Sequence, residues 1–273
     1  MLMTFHKTLP GCEQGDRDAW RLFLARYTPI VFQLFGVYLP GTPEQRWEFW
    51  REAVRALCAG NYERLRAFSH QSEREFLVDV RAFLLDRVSA AIDSSLDAQA
   101  PPGPTVETLG ALLKGLPLLH QEIVFLTLAG YSQATLEKVL RISPAVAQQG
   151  FERLRADYAP VLERSEDRCL WPAGWTAITR TARAGKRDDC APLRLLVRIL
   201  DGQATWYEKS PVEEHRATCL HCLELWTSLL EVSSWERVMK PWPPEQIEPL
   251  LADLPLRAPE KSRGSLFARI RGK

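Results

Sequence analysis

Apolar residues recur at three- and four-residue spacings along almost the whole chain, and strict apolar–polar alternation is scarce, so the pattern predicts an all-α protein. Over 18–38, Trp20, Leu22, Phe23, Leu24, Tyr27, Ile30, Val31, Leu34 and Phe35 form a broad apolar face. Gly41-Thr42-Pro43 interrupts it, with Thr42 as N-cap and Pro43 at the first position of a second helix over 44–59. Gly60-Asn61 stops that helix. A third is predicted over 72–92, where Ser72 and Glu75 have capping-box spacing. Ala100-Pro101-Pro102-Gly103-Pro104 sits in a non-helical strap over 94–105. Beyond it the pattern gives short helices over 106–115, 118–130, 133–140 and 144–164. Ser143-Pro144 opens the last after a joint short enough for a helix-turn-helix. A second punctuated stretch, 165–186, leads to a compact third unit and then a tail. The expected division is a helical domain over 1–95, a Pro-rich linker over 96–105, a helix-turn-helix domain over 106–166, a small metal-binding domain over 187–256 and a tail over 257–273.

Composition changes this picture little. Hydrophobic content of 46% and charged content of 25% suit a folded soluble chain. No apolar run reaches the roughly 20 residues that span a bilayer, and Met1 to Pro10 has no signal-peptide core, so no membrane contact and a cytoplasmic location are expected. Charge matters more. The formal net charge is +1, with 12 Lys/Arg against 12 Asp/Glu over 1–95 and six against seven over 104–166. Phosphate binding would therefore require charges segregated onto one face. Only the tail is clearly basic, with six Lys/Arg and one Glu; it suits nucleic acid, polymerase or a partner groove, or else simple solvation.

Six cysteines stand at 12, 58, 169, 190, 219 and 222. The sharpest local signal is His215-Arg216-Ala217-Thr218-Cys219-Leu220-His221-Cys222. Cys-x-x-Cys offers two thiolates from one turn, and His215 and Cys219 share a helix face, which gives three ligands in eight residues. Cys190 supplies a fourth, closing a structural Zn2+ site. A redox dithiol and simple packed thiols are the other readings of the same residues. Cys12, Cys58 and Cys169 read as core. Six tryptophans concentrate between 171 and 242, as core or as a docking patch. No catalytic constellation is present: Gly-x-Ser-x-Gly, a phosphate-binding Gly-rich loop and His-Glu-x-x-His are all missing, so no enzyme is expected.

The order of motifs resembles extracytoplasmic-function (ECF) sigma factors over about residues 11–165. Gly15-Asp16-Arg17-Asp18-Ala19-Trp20 and Tyr27-Thr28-Pro29-Ile30-Val31 are similar to that family's opening. Glu48-Phe49-Trp50-Arg51-Glu52 falls at its polymerase-clamp helix. Leu116-Pro117 through Leu126, then Gly130-Tyr131-Ser132, resemble the entry to its −35 reader. Residues 187–231 resemble the zinc-binding anti-sigma fold, with Cys190, Leu200-Asp201-Gly202, Val212-Glu213-Glu214-His215 and Cys219-x-x-Cys222 in its order; Arg216 stands where a Leu is common.

The resemblance implies two sigma-factor helical domains plus a small zinc-binding domain. It implies core RNA polymerase and promoter DNA as partners, with a regulatory protein at the zinc domain or tail. Glu48, Arg51 and Glu52 would meet the polymerase. The helix from Pro144 would read DNA, with Gln148 and Gln149 at base edges and Arg153 and Arg155 at base or phosphate; solvated positions are the other reading of these four. The zinc domain would regulate initiation in cis. The stretch matching the −10 reader is Val80-Arg81-Ala82-Phe83, without the family's Asn, and the recognition helix begins Ala145-Val146-Ala147 without a cation. Those departures motivate an alternative: a sigma-derived adaptor or decoy that does not initiate.

Overall fold

The computed structural model describes residues 5–68, 72–93, 105–152, 172–238 and 240–256. Among these the secondary structure is entirely helical, as expected. The elements are α1 Phe5–Glu13, α2 Arg17–Tyr38, α3 Pro43–Ala67, α4 Glu73–Asp93, α5 Val106–Leu113, α6 Leu118–Leu128, α7 Gln133–Leu140, α8 over 144–152, α9 Pro172–Ala184, α10 Leu193–Leu200, α11 Trp206–Arg216, α12 Leu220–Val238 and α13 Pro244–Ala252. The Pro-rich strap over 100–104, Cys169, Trp171, Arg153, Arg155 and the tail over 257–273 lie outside the described residues.

Local chemistry sets most boundaries. Thr42 caps α3 in a capping box with Gln45, and Pro43 occupies the first turn. The Ser72 hydroxyl accepts the Glu75 amide at the start of α4. At the expected stop the chain turns rather than ending. Gly60, Asn61 and Tyr62 all take left-handed φ, and one further helical turn follows. Tyr62 is an unusual residue for that region; its ring lies near Trp20 and its hydroxyl donates to the Pro255 carbonyl. The punctuated 165–186 stretch contains α9, because Trp175, Ile178 and Ala182 bury one helical face. Helix α1, with Pro10 inside it, was not evident from the pattern.

The helices share one continuous apolar core running from Phe5 to Leu254. Helix α12 lies inside it, in contact with α2, α4, α6, α7, α9, α10 and α11. Helix α13 lies along α2. Pro29 explains part of that docking. A proline cannot donate to the carbonyl four residues back, so the Ala25 carbonyl inside α2 is left free. The Trp242 amide donates to it at 2.9 Å, and the Trp242 ring packs with Phe32 and Trp47.

Candidate metal centre and the polar core beside it

Cys190 precedes α10, His215 lies in the last turn of α11, and Cys219 and Cys222 bracket the start of α12. Tight turns after α11 bring them together: the Thr218 amide bonds the His215 carbonyl and the Cys219 amide bonds that of Arg216. The four ligand atoms lie within 4.8 Å of one another, and the three cysteines are buried. Cys190 Sγ and Cys219 Sγ are 3.7 Å apart. A tetrahedral site with metal–sulfur bonds of roughly 2.3 Å separates its sulfurs by about 3.8 Å.

The histidine is oriented for the same purpose. Its Nε2 is buried with no hydrogen-bond partner, while Nδ1 lies 3.1 Å from Asp189 Oδ2. Arg187 Nη2 lies 3.2 Å from the same nitrogen, so Nδ1 is occupied and Nε2 is the ring atom left for a metal. The Arg187 amide donates to Cys190 Sγ at 3.2 Å. Burial, then Cys219 and Cys190, push the Cys222 thiol up. His221 turns away, with Nδ1 3.0 Å from the Arg183 carbonyl. The Cys3His cluster can thus hold a metal ion.

Comparison with family models, with curated proteins and with solved structures gives no match to this chain. Among the described residues no helix is long and apolar enough to cross a membrane.

The expected polymerase-contacting residues lie on α3. Glu48 and Glu52 are exposed, and Arg51 is half-buried. Arg51 pairs with Glu48 at 2.7 Å and with Asp253, just past α13, at 3.1 Å; Arg55 also reaches Asp253 at 3.5 Å. Arg17 and Arg21 of α2 hold Glu248 of α13 at 2.8 and 2.9 Å, and those arginines draw the Glu248 carboxyl below its usual range.

Of the expected DNA-facing residues, Pro144 and Gln149 are exposed at the start of α8. Gln148 is half-buried and donates to Glu152 at 3.3 Å. Arg141 closes α7 in a left-handed conformation. Helix α8 sits so close to α6 that a Cβ on Gly150 would fall 2.5 Å from Ile123. The two-helix unit expected around residue 143 is therefore tightly joined to the preceding helix.

Beside the metal cluster lies a polar core that the sequence did not reveal. Arg81 of α4 is 2% exposed and donates to Glu224 at 3.0 Å; it also pairs with Glu231 at 2.6 Å. Tyr38 and Tyr131 both donate to Glu231, at 2.7 and 2.6 Å. Arg183 of α9 donates to Glu224 at 2.8 Å, and Ser228 adds another hydrogen bond. Burial opposes ionisation of Glu224, but Arg183 and Arg81 outweigh it and hold the carboxyl down. The only sequence trace is the spacing of Glu224, Ser228 and Glu231, a polar stripe along α12 that by pattern belongs to a solvated face.

A second buried pair joins α11 to α6. Arg216 meets Glu122 at 3.1 Å and stacks over Trp226 at 4.2 Å. Burial lowers Arg216 and raises Glu122, each against the pull of the other. Arg216, the departure from the anti-sigma pattern, therefore has a partner within the chain.

Of the late tryptophans, Trp175 and Trp235 are buried, Trp226 and Trp242 half-buried, and Trp206 stands 70% exposed beside Tyr207. Cys12 and Cys58 are core residues, as expected.

Proposed function

We propose that this chain is a transcription initiation factor of the ECF sigma type, held in a closed state by its own zinc-binding segment. The observation that carries this reading is the engagement of Arg51, one of the three expected polymerase-facing residues, within the molecule, while Glu48 and Glu52 stay exposed. Arg51 of α3 is engaged by Asp253, and α13 with Trp242 covers α2. Helix α12 lies between the α2/α4 helices and α6/α7. With Arg51 so engaged, core RNA polymerase would have to displace Asp253 to use it. The metal, Zn2+ on this reading, fixes the start of α12 through Cys219 and Cys222. Its loss, or thiol oxidation, would loosen the helix on which the closed state depends. Open, the helix from Pro144 would read promoter DNA through Gln148, Gln149, Arg153 and Arg155. A regulatory protein at the zinc segment or the tail would set the balance between states.

The test uses the full chain with core RNA polymerase. Zinc-loaded protein should bind weakly, and Trp242→Ala with Asp253→Arg should bind at least tenfold more tightly and support transcription from a cognate promoter. Absence of polymerase binding in both forms would overturn the proposal.

One observation favours the second reading, a non-initiating adaptor. Arg81, in the stretch matched to the −10 reader, is used inside the protein for Glu224 and Glu231. Under that reading the opened variant binds polymerase and represses or delivers it without melting promoter DNA; permanganate footprinting separates the two.

A further inference from the structure

A cleft of about 290 Å³ opens between the α5–α6 joint and the turn that carries Cys219. It is near the lower end of the roughly 300–1,000 Å³ of small-molecule sites. Its walls combine two chemistries. Leu113, Leu220 and Leu223 supply apolar surface, Lys114 supplies a positive charge, and Arg216, whose Nη2 is already paired with Glu122 at 3.1 Å, supplies a further donor. Arg216 is 5% exposed, and its Nε is buried without a hydrogen-bond acceptor. A buried donor left unpaired costs about 1–3 kcal/mol, and an acceptor brought by a ligand would remove that cost. Gln121 helps hold the two walls together, donating from Nε2 to the carbonyls of Leu116 and Ala217 at 3.0 Å each. Gly110 lines the cleft from α5, and a Cβ there would meet nothing within 4 Å.

The geometry points to a binding site for a small carboxylic acid with an apolar body, its carboxylate toward Lys114 and Arg216 and its hydrocarbon part against the three leucines. The wall contains the metal-ligating Cys219 on one side and the α5–α6 joint on the other. Occupancy would therefore bias how the metal segment sits on those helices, to the extent that the acid prefers one arrangement. This inference stands on the cleft alone and not on the transcription reading. Its test contains no polymerase or DNA, so the two fail separately.

The experiment is ligand-observed NMR and calorimetry on the metal-loaded full chain with benzoate, phenylacetate and hexanoate, set against benzamide and hexanamide. Expected is saturable one-to-one binding of at least one acid, with the matching amide at least tenfold weaker. Gly110→Trp, which adds bulk at a lining position where a Cβ meets nothing within 4 Å, should abolish binding. Lys114→Glu, a surface change, should weaken it about tenfold; circular dichroism verifies that both variants keep their helices. Equal affinity for acid and amide, undiminished binding in either folded variant, or no saturable binding by any of the three acids would overturn the site.

Discussion

At the residue scale the protein is governed by a few side chains that carry charge into its interior. Arg81 meets two carboxylates, and among the described residues Glu231 has no other cation. Removing one partner of a buried ion pair costs about 3–5 kcal/mol, because the other charge is stranded. Arg81→Met should lower the stability of the full chain by that amount in chemical denaturation. Combining it with Glu231→Met should recover part of the loss, since residues sharing one network are not additive. Additive losses would mean that the pair is not coupled. The metal ligands follow a different rule. If the Cys3His cluster holds zinc as proposed above, Cys222→Ser removes one of its four ligands, and zinc measured by atomic emission should fall from one per chain to less than a tenth. At the surface, Glu208 is drawn down to about 2 by Arg198, with help from the Thr205 amide and hydroxyl. Its folded value lies below its unfolded one. The stability it contributes is therefore fully present above about 4.5 and is lost as pH falls toward about 2. Carboxyl NMR should find its midpoint at about 2.

At the element scale the local signals carried most of the fold. The cap at Thr42, the break at Gly60-Asn61 and the Ser143-Pro144 start are all visible in the sequence, because each acts within a few residues of itself. The metal cluster was legible for the same reason: three ligands fall within eight residues, and only Cys190 comes from a distance. What stayed hidden is tertiary. Helix α12 has a polar stripe, and pattern alone sends such a stripe to solvent; only Arg81, Arg183, Tyr38 and Tyr131, from four other segments, turn it inward. The docking of Trp242 was hidden too, since it depends on the carbonyl that Pro29 leaves free on another helix. Two substitutions separate these levels. Trp242→Ala removes half-buried ring packing against Phe32 and Trp47 and should cost about 1–3 kcal/mol, below the 3–5 of a fully buried tryptophan. Gly150→Ala forces a Cβ against Ile123 and should cost about 1–3 kcal/mol by overpacking. Thermal melts read both; a neutral Gly150→Ala would mean that α8 does not approach α6 so closely.

At the scale of the whole molecule the question is why so polar a helix lies at the centre. A permanent core helix is ordinarily apolar all round. Helix α12 instead buries Glu224, Thr227, Ser228, Glu231, Ser233 and Ser234. Such a surface is costly to bury and inexpensive to return to water, which is what the opening proposed above would require of α12. Its N-terminal end is held by Cys219 and Cys222 and its middle by Arg81 and Arg183, so the metal and the polar core act on one element. In the metal-loaded chain the amides of α12 should exchange as slowly as those of α2 and α4, through global unfolding. Stripping the metal removes the N-terminal anchor, and the α12 amides should then exchange about a hundredfold faster, near 2.7 kcal/mol, while α2 and α4 keep most of their protection. Equal loss in all three helices would mean that the metal stabilises the fold without controlling the position of α12. No loss in any would mean that the polar core holds the helix unaided, and that the opening proposed above would have to act on Arg81 and its carboxylates rather than on the cysteines.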